Sequence, residues 1–303
     1  MSVTVRAPAK VNLVLVVGRP REDGFHPLNT VYQAISLYDD VRVSDAGAWS
    51  VSVTPIGDVD TSGVPLDETN IALRAGRLLA EHHRIDAAAH VEITKGIPVA
   101  GGLAGGSADA AATLVALDRL WDLRTTDEDL LAIAGQLGSD VPFALIGGSA
   151  HGTGHGELVE PVTDGGSYWW VVATSDEGLS TPAVYREFDA LFPDVPAEAH
   201  EGDPLAVLSA LRSGDVEALG ASMRNDLEVP ALSLRPELSA RLQLVREHSG
   251  STVMLSGSGP TVVGLAATQQ EALELRAALL EAGLPVVHVA TGPVAGAHVV
   301  EYV

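Results

Sequence analysis

The sequence predicts an α+β protein of two domains, and three observations carry that prediction. A β-rich opening stretch leads, over residues 90–121, into one strand, a glycine-dense loop and an alanine-rich helix. The second half alternates short apolar strands with helices, the pattern of an antiparallel α+β layer. Between the halves, residues 161–167 (Pro-Val-Thr-Asp-Gly-Gly-Ser) read as a boundary, dividing the chain into 1–160 and 161–303.

Taken in order, residues 3–17 read as a short strand, a turn broken at Pro8, and a second strand rich in β-branched residues. Lys10 and Asn12 have the same parity there and share a face, either as edge polars in water or as ligand contacts. Residues 18–27 form a turn-rich loop that ends in Phe25 and His26. Apolar alternation resumes over 28–38 and 40–44, and 51–54 adds a short strand. A helix is expected over 68–83, started by Thr69 or Asn70.

Residues 90–94 form the strand that delivers Lys95 to the glycine loop, residues 96–106, and a helix runs from Ser107 to about Trp121. Helix starts offer unpaired N–H groups and a positive dipole end, and glycines admit a ligand close to the backbone. Phosphate suits such a loop; the alternative is a plain loop with Ser107 as N-cap. Neither the G-x-x-x-x-G-K-[ST] nor the G-x-G-x-x-G pattern is present. Thr126, with Asp129 three residues on, opens a helix that Gly138 closes. Asp140 then falls past a helix C-terminus, where the dipole gives it nothing, so it is either a turn residue or a functional group.

Residues 144–156 are glycine-rich and carry His151 and His155, read as polar loop or strand positions rather than metal ligands, since the H-E-x-x-H form is missing. Beyond the boundary come a strand at 168–174, a helix opening at Thr181 with Pro182 in its first turn, and an acidic loop over 193–204. Helices at 205–213, 216–223 and 236–248 follow. Strands at 252–255 and 262–265 flank Ser256-Gly257-Ser258-Gly259-Pro260-Thr261; a helix at 269–282 and strands at 285–290 and 297–303 complete the chain.

Composition narrows the function. No apolar run reaches the roughly 18 residues of a membrane span, and the N-terminus lacks a leader layout, so the expected compartment is the cytoplasm. Zero cysteines exclude disulfides and thiolate chemistry. A net charge of −22, from 40 acidic against 18 basic residues, argues against nucleic-acid or anionic-membrane partners. Of those 18 basic residues, only Lys10 and Lys95 are lysine. Arginine replaces lysine on a surface at little cost, but not where a compact ammonium is needed, so both lysines mark candidate site segments.

Three segments together carry a family resemblance: Pro8-Ala9-Lys10-Val11-Asn12-Leu13, residues 98–111 with their glycines, and Leu255-Ser256-Gly257-Ser258-Gly259-Pro260-Thr261. The chain resembles the GHMP kinases in all three, in order and spacing from end to end. The resemblance implies a ribosomal-S5-like N-terminal domain, a ferredoxin-like C-terminal domain and an active site in the cleft between them. It further implies ATP as phosphate donor, Mg2+, and a protein that is a monomer or weak homodimer.

The segments 21–28 and 138–143 are similar to the branch of the family whose acceptor is a diphosphocytidyl sugar alcohol; homoserine or mevalonate kinases and a non-catalytic nucleotide or sugar binder are the alternatives. By this resemblance Lys10 and Asp140 are catalytic. Asn70, Lys95, Pro98, Val99, Ala100, Gly101, Gly102, Leu103, Ala104, Gly105, Gly106 and Ser107 bind ATP, Ser107 also touching Mg2+. Asn12, Phe25, His26, Tyr32, Thr181, Tyr185, Gly257, Ser258 and Gly259 bind the acceptor. His26 resembles the residue that reads the cytosine edge, with Phe25 and Tyr185 as stacking neighbours; relatives more often have tyrosine at the Phe25 position.

Overall fold

The structure is a computed structural model and describes residues 1–99, 101–175, 178–199, 204–250 and 252–302. The N-terminal part contains β1 (Ser2–Val17), β2 (Leu28–Ala46), β3 (Ser50–Pro55), α1 (Ile71–His83), β4 (Ala88–Lys95), α2 (Gly105–Leu120), α3 (Asp127–Leu137), α4 (Val141–Ile146), β5 (Ser149–Thr153) and β6 (Leu158–Pro161). The remainder contains β7 (Tyr168–Ala173), α5 (Thr181–Leu191), α6 (Leu205–Ser213), α7 (Val216–Ser222), β8 (Arg224–Asn225), α8 (Glu228–Leu234), α9 (Glu237–His248), β9 (Val253–Leu255), β10 (Val262–Ala266), α10 (Gln269–Glu281), β11 (Val287–Gly292) and β12 (His298–Tyr302).

Two sheets organise these elements in the α+β arrangement expected. One runs β12-β1-β2-β4-β3, with β5 on β2, β6 on β5 and β8 on β1. The other runs β11-β7-β10-β9 and is antiparallel throughout. The closing strand departs from expectation: β12 belongs with β1 in the first sheet, where it pairs with Val3–Arg6 and covers that part of the edge.

The break expected at Pro8 is absent, because β1 is one continuous strand. Proline cannot donate to a ladder, and the register against β2 slips between Pro8 and Ala9 to accommodate it. The two apolar runs at 28–38 and 40–44 likewise form the single strand β2. Val3, Val5, Val11 and Leu13 of β1 pack in the larger core, whereas Leu15 and Val17 pack in the core of the second sheet. One strand thus spans both cores.

Helix α2 starts two residues before Ser107. Its N-cap is Ala104, in a left-handed conformation, and no side chain caps it, so Ser107 lies in the first turn instead. Ala108, Ala110, Ala111, Ala112, Leu114, Ala116 and Leu117 are all buried, which explains why the segment reads as apolar all round: the helix is covered on nearly every side. Helix α1 begins as expected, with Asn70 Oδ1 accepting from Ala72 N. Thr126 caps α3 by accepting from Asp129 N, and Gly138 ends it.

Replacing Leu114, fully buried in the centre of α2, by alanine is expected to cost about 2–5 kcal/mol. Urea denaturation should show a lower midpoint at an unchanged slope.

Candidate active site

The glycine loop is positioned from beneath by a buried ion cluster. Lys95 ends β4 and places Nζ 2.5 Å from Oδ2 of Asp39 and 2.9 Å from Oδ2 of Asp109. Asp39, on β2, uses its other oxygen to accept from Gly96 N (2.8 Å) and Ile97 N (2.9 Å), the first two residues of the loop. Asp109 sits in the second turn of α2. One ammonium therefore ties the strand before the loop to the helix after it. Burial pushes the Lys95 pKa down, but attraction to Asp109 and Asp39 outweighs it and the pKa is raised. Burial holds Asp109 well above the carboxylate range, against the pull of Lys95, and its Oδ1 is buried with no hydrogen-bond partner.

Above this cluster segment 8–13 meets the two glycine-bearing segments. Gly102 lies at φ +77°, and a Cβ there would fall 2.3 Å from the Ser256 carbonyl oxygen. Without one, Ser256 Oγ donates to Gly102 O at 3.1 Å, and Lys10 N donates to Leu103 O at 3.1 Å. Gly257, at φ +56°, lets the third segment approach Lys10: a Cβ there would stand 3.3 Å from Nζ. Asn225, beside β1 on β8, holds that segment through Nδ2 donating to Leu255 O and Gly257 O.

Lys10 is buried in the same region. Its ammonium donates to Asn12 Oδ1 at 2.6 Å and lies 3.6 Å from Asp140 Oδ2. Asn12 in turn donates to Thr30 Oγ1. Asp140 follows Gly138, as expected, but it also opens α4, whose positive end favours a carboxylate. It makes no capping hydrogen bond, so the carboxylate remains directed at other partners. Tyr32 stacks on Phe143 at 4.8 Å beside this pair, and burial, then the Asp140 charge, raises its pKa. The arrangement holds an anionic acceptor of protons beside a fixed cation, the requirement for activating a hydroxyl.

A single cavity of about 820 Å³ joins these parts. It is lined by Lys10, Asn12, Phe25, His26, Tyr32, Asn70, Lys95, Pro98, Val99, Gly101, Gly102, Ala104, Gly105, Gly106, Asp140, Thr181, Tyr185, Gly257, Ser258 and Gly259. Leu103 is packed into the core, Ser107 does not line the cavity, and Ala100 lies outside the described residues. Two polar candidates are already engaged: Asn70 donates to Pro65 O while capping α1, and Lys95 serves its two carboxylates. Phe25 is exposed and stacks on His155 at 4.8 Å rather than on His26. His151 bonds Asn29, and no group of three metal-ligating side chains occurs among the described residues.

Asp109, His155, Arg186 and Asp189 also line the cavity and Asp39 underlies it, and none of the five was expected at the site from the sequence. Asp109 lies inside the segment 98–111, and Asp189 is one helical turn from Tyr185, a spacing that puts both on one face. Asp39 had no local signal, because its partners come from another strand.

Lys95→Met leaves two buried carboxylates without their cation, a loss expected to cost about 3–5 kcal/mol at neutral pH. Burial already holds the Asp109 carboxyl above its unfolded pKa against the pull of Lys95; without that pull folding takes up a proton there, and stability returns as pH falls. Denaturation at pH 7 and pH 5 should show the deficit shrinking at the lower pH.

Residues 70–148 match the model of the GHMP kinases N terminal domain and residues 207–284 that of the GHMP kinases C terminal. A Nocardioides protein named 4-diphosphocytidyl-2-C-methyl-D-erythritol kinase is 57% identical over 298 residues, covering 98% of this chain and 100% of its own. A Streptomyces coelicolor protein of the same name is 47% identical, covering 99% and 100%. Among solved structures, a 4-(cytidine 5'-diphospho)-2C-methyl-D-erythritol kinase is 33% identical with a TM-score of 0.75, covering 96% of this chain and 98% of its own. A homoserine kinase from Cytophaga hutchinsonii, at 20% identity and a TM-score of 0.73 over 99% and 97%, shares the fold. The chain belongs to the GHMP kinases.

Proposed function

We propose that this enzyme transfers the γ-phosphate of ATP to the 2-hydroxyl of 4-diphosphocytidyl-2-C-methyl-D-erythritol, giving the 2-phosphate and ADP, in non-mevalonate isoprenoid precursor synthesis. The observation that carries the reading is the Lys10–Asp140 pair, 3.6 Å apart in one cavity with the glycine loop and His26. The full-length similarity to kinases of that name supports the choice of acceptor.

In this reading Asp140 takes the proton of the 2-hydroxyl as its oxygen bonds to the γ-phosphorus, and the bond from that phosphorus to the β,γ-bridging oxygen breaks to release ADP. Lys10 neutralises charge at the hydroxyl and the transferring group, while Asn12 fixes its position. Backbone N–H groups of residues 101–106 cradle the triphosphate, and Asn70, Lys95, Pro98 and Val99 border the adenine. Phosphoryl transfer needs mainly positioning and charge neutralisation, which these groups supply. His26, Phe25 and Tyr185 take the cytosine; Tyr32, Thr181, Gly257, Ser258 and Gly259 take the sugar alcohol and its diphosphate.

Mg2+ completes the proposal. It would be held mainly through substrate phosphates with few protein oxygens; the Asp140 carboxylate is a hard oxygen donor lining the cavity and fits that chemistry, while the Ser107 hydroxyl lies just past Gly106, outside the lining. When bound, it offsets phosphate charge. The same proposal has residues 1–160 and 161–303 as the two domains, and a monomer or weak homodimer working in the cytoplasm on small molecules alone. No helix among the described residues is long and apolar enough to cross a membrane.

A coupled assay across the cytidine compound, homoserine and mevalonate tests the acceptor: ADP formation is expected only with the first, and turnover of either other compound in its place rejects the reading. Asp140→Ala should lower turnover at least about 100-fold while titrated ATP affinity stays nearly unchanged. A mild effect removes Asp140 from proton transfer.

A further inference from the structure

The cavity also holds a pair that phosphoryl transfer does not use. His26 is buried, and its Nε2 lies 2.8 Å from Oδ1 of Asp189. Asp189 is one helical turn beyond Tyr185 on α5. The Tyr185 ring lies 4.8 Å from the imidazole at a tilt of 38°, and Phe188 meets it edge-on at 6.1 Å. These contacts hold the ring plane. The other ring nitrogen, Nδ1, has no hydrogen bond among the described residues and is not sealed from solvent. His26 and Asp189 both line the cavity, so Nδ1 is the ring atom left for a ligand.

We propose that Asp189 fixes the tautomer of His26 and thereby makes the site select cytosine over uracil. The inference rests on the reading of this cavity as the site of a diphosphocytidyl acceptor. A carboxylate only accepts hydrogen bonds, so Nε2 carries the proton and donates it to Oδ1. In the neutral ring Nδ1 is then bare and can only accept. The exocyclic amine on C4 of cytosine is a donor and completes that bond. Uracil carries a carbonyl oxygen on the same carbon, which sets two acceptors against each other with no proton between them. A site built to hydrogen-bond an N–H rejects the analogue lacking it far more strongly than a pocket that matches shape alone. Asp189 touches neither the base nor the reacting atoms in this scheme; it is a positioning residue that acts through His26.

The test compares kcat/KM for the diphosphocytidyl compound and its diphosphouridyl analogue in the wild type, Asp189→Ala and Asp189→Asn, with KM for ATP measured in each. Nitrogen-15 NMR of the His26 ring is recorded in parallel on the intact enzyme. The wild type should prefer the cytidine compound by at least about 1000-fold, and its ring should be neutral with the proton on Nε2. Asp189→Ala should lower the preference at least about tenfold and mix the tautomers, with KM for ATP within about twofold of wild type. Asp189→Asn, whose amide oxygen can accept the same N–H, should retain most of the preference. An unchanged preference in Asp189→Ala, or a wild-type ring protonated on both nitrogens at the assay pH, overturns the proposal. Turnover of neither compound by the wild type would instead remove the substrate reading, and the claim of base selection with it.

Discussion

The site depends first on one buried ammonium shared by two carboxylates. Lys95, Asp39 and Asp109 are all buried, and isolated charges in such a place would cost several kcal/mol each. Their arrangement offsets that cost because Asp39 accepts three hydrogen bonds, from Lys95 and from the N–H groups of Gly96 and Ile97. The same bonds aim the chain as it leaves β4. Asp109, fixed to the same ammonium, sets where α2 begins relative to that exit. A glycine-rich segment has little conformational preference of its own. Pinned at its entry and just beyond its exit, it becomes a defined wall of the cavity.

Strand β1 is the second constraint. It is long enough to contribute Val3, Val5, Val11, Leu13, Val14 and Val16 to one core and Leu15 and Val17 to the other, and Lys10 and Asn12 alternate with residues of the first core. Their polar ends open into the cavity because neither core can accept them. The backbone of Lys10 bonds the loop at Leu103, its side chain meets Asn12 and Asp140, and Gly257 approaches its ammonium. Four segments remote in sequence are therefore brought into register by a single residue of one strand.

Much of this was legible in the sequence where the signal is local. The caps at Asn70 and Thr126, the end of α3 at Gly138 and the strands of the second sheet follow from spacing and turn chemistry. Features decided by distant partners were not. Pro8 looks like a break, yet the neighbouring strands hold β1 continuous and absorb the proline as a slip in register. Ser107 looks like a cap, yet Ala104 accepts a left-handed conformation because the loop above the ion cluster requires the helix to start earlier. Residues 298–302 read as another strand of the second half, and only the open edge of β1 assigns them to the first sheet. Asp39 and Asp189 are ordinary acids in sequence and acquire meaning only from Lys95 and His26.

The scarcity of lysine has a physical explanation in these contacts. No arginine is buried among the described residues, and several make exposed or half-exposed pairs such as Arg6 with Asp40 and Arg124 with Asp122. Both lysines are buried, and each directs a compact ammonium at groups converging from different elements: Asp39 and Asp109 for one, Asn12 and Asp140 for the other. A guanidinium presents its five donors in one flat, rigid plane and is bulkier than an ammonium, so it serves partners lying in that plane and fits poorly where partners converge from outside it in a closed space. Gly105 and Gly257 show how closed that space is, since a single Cβ at either would come within 3.1 Å and 3.3 Å of the respective ammonium. Lysine persists at these two positions because tetrahedral donors on a thin stem are the only cationic group the surrounding backbone admits.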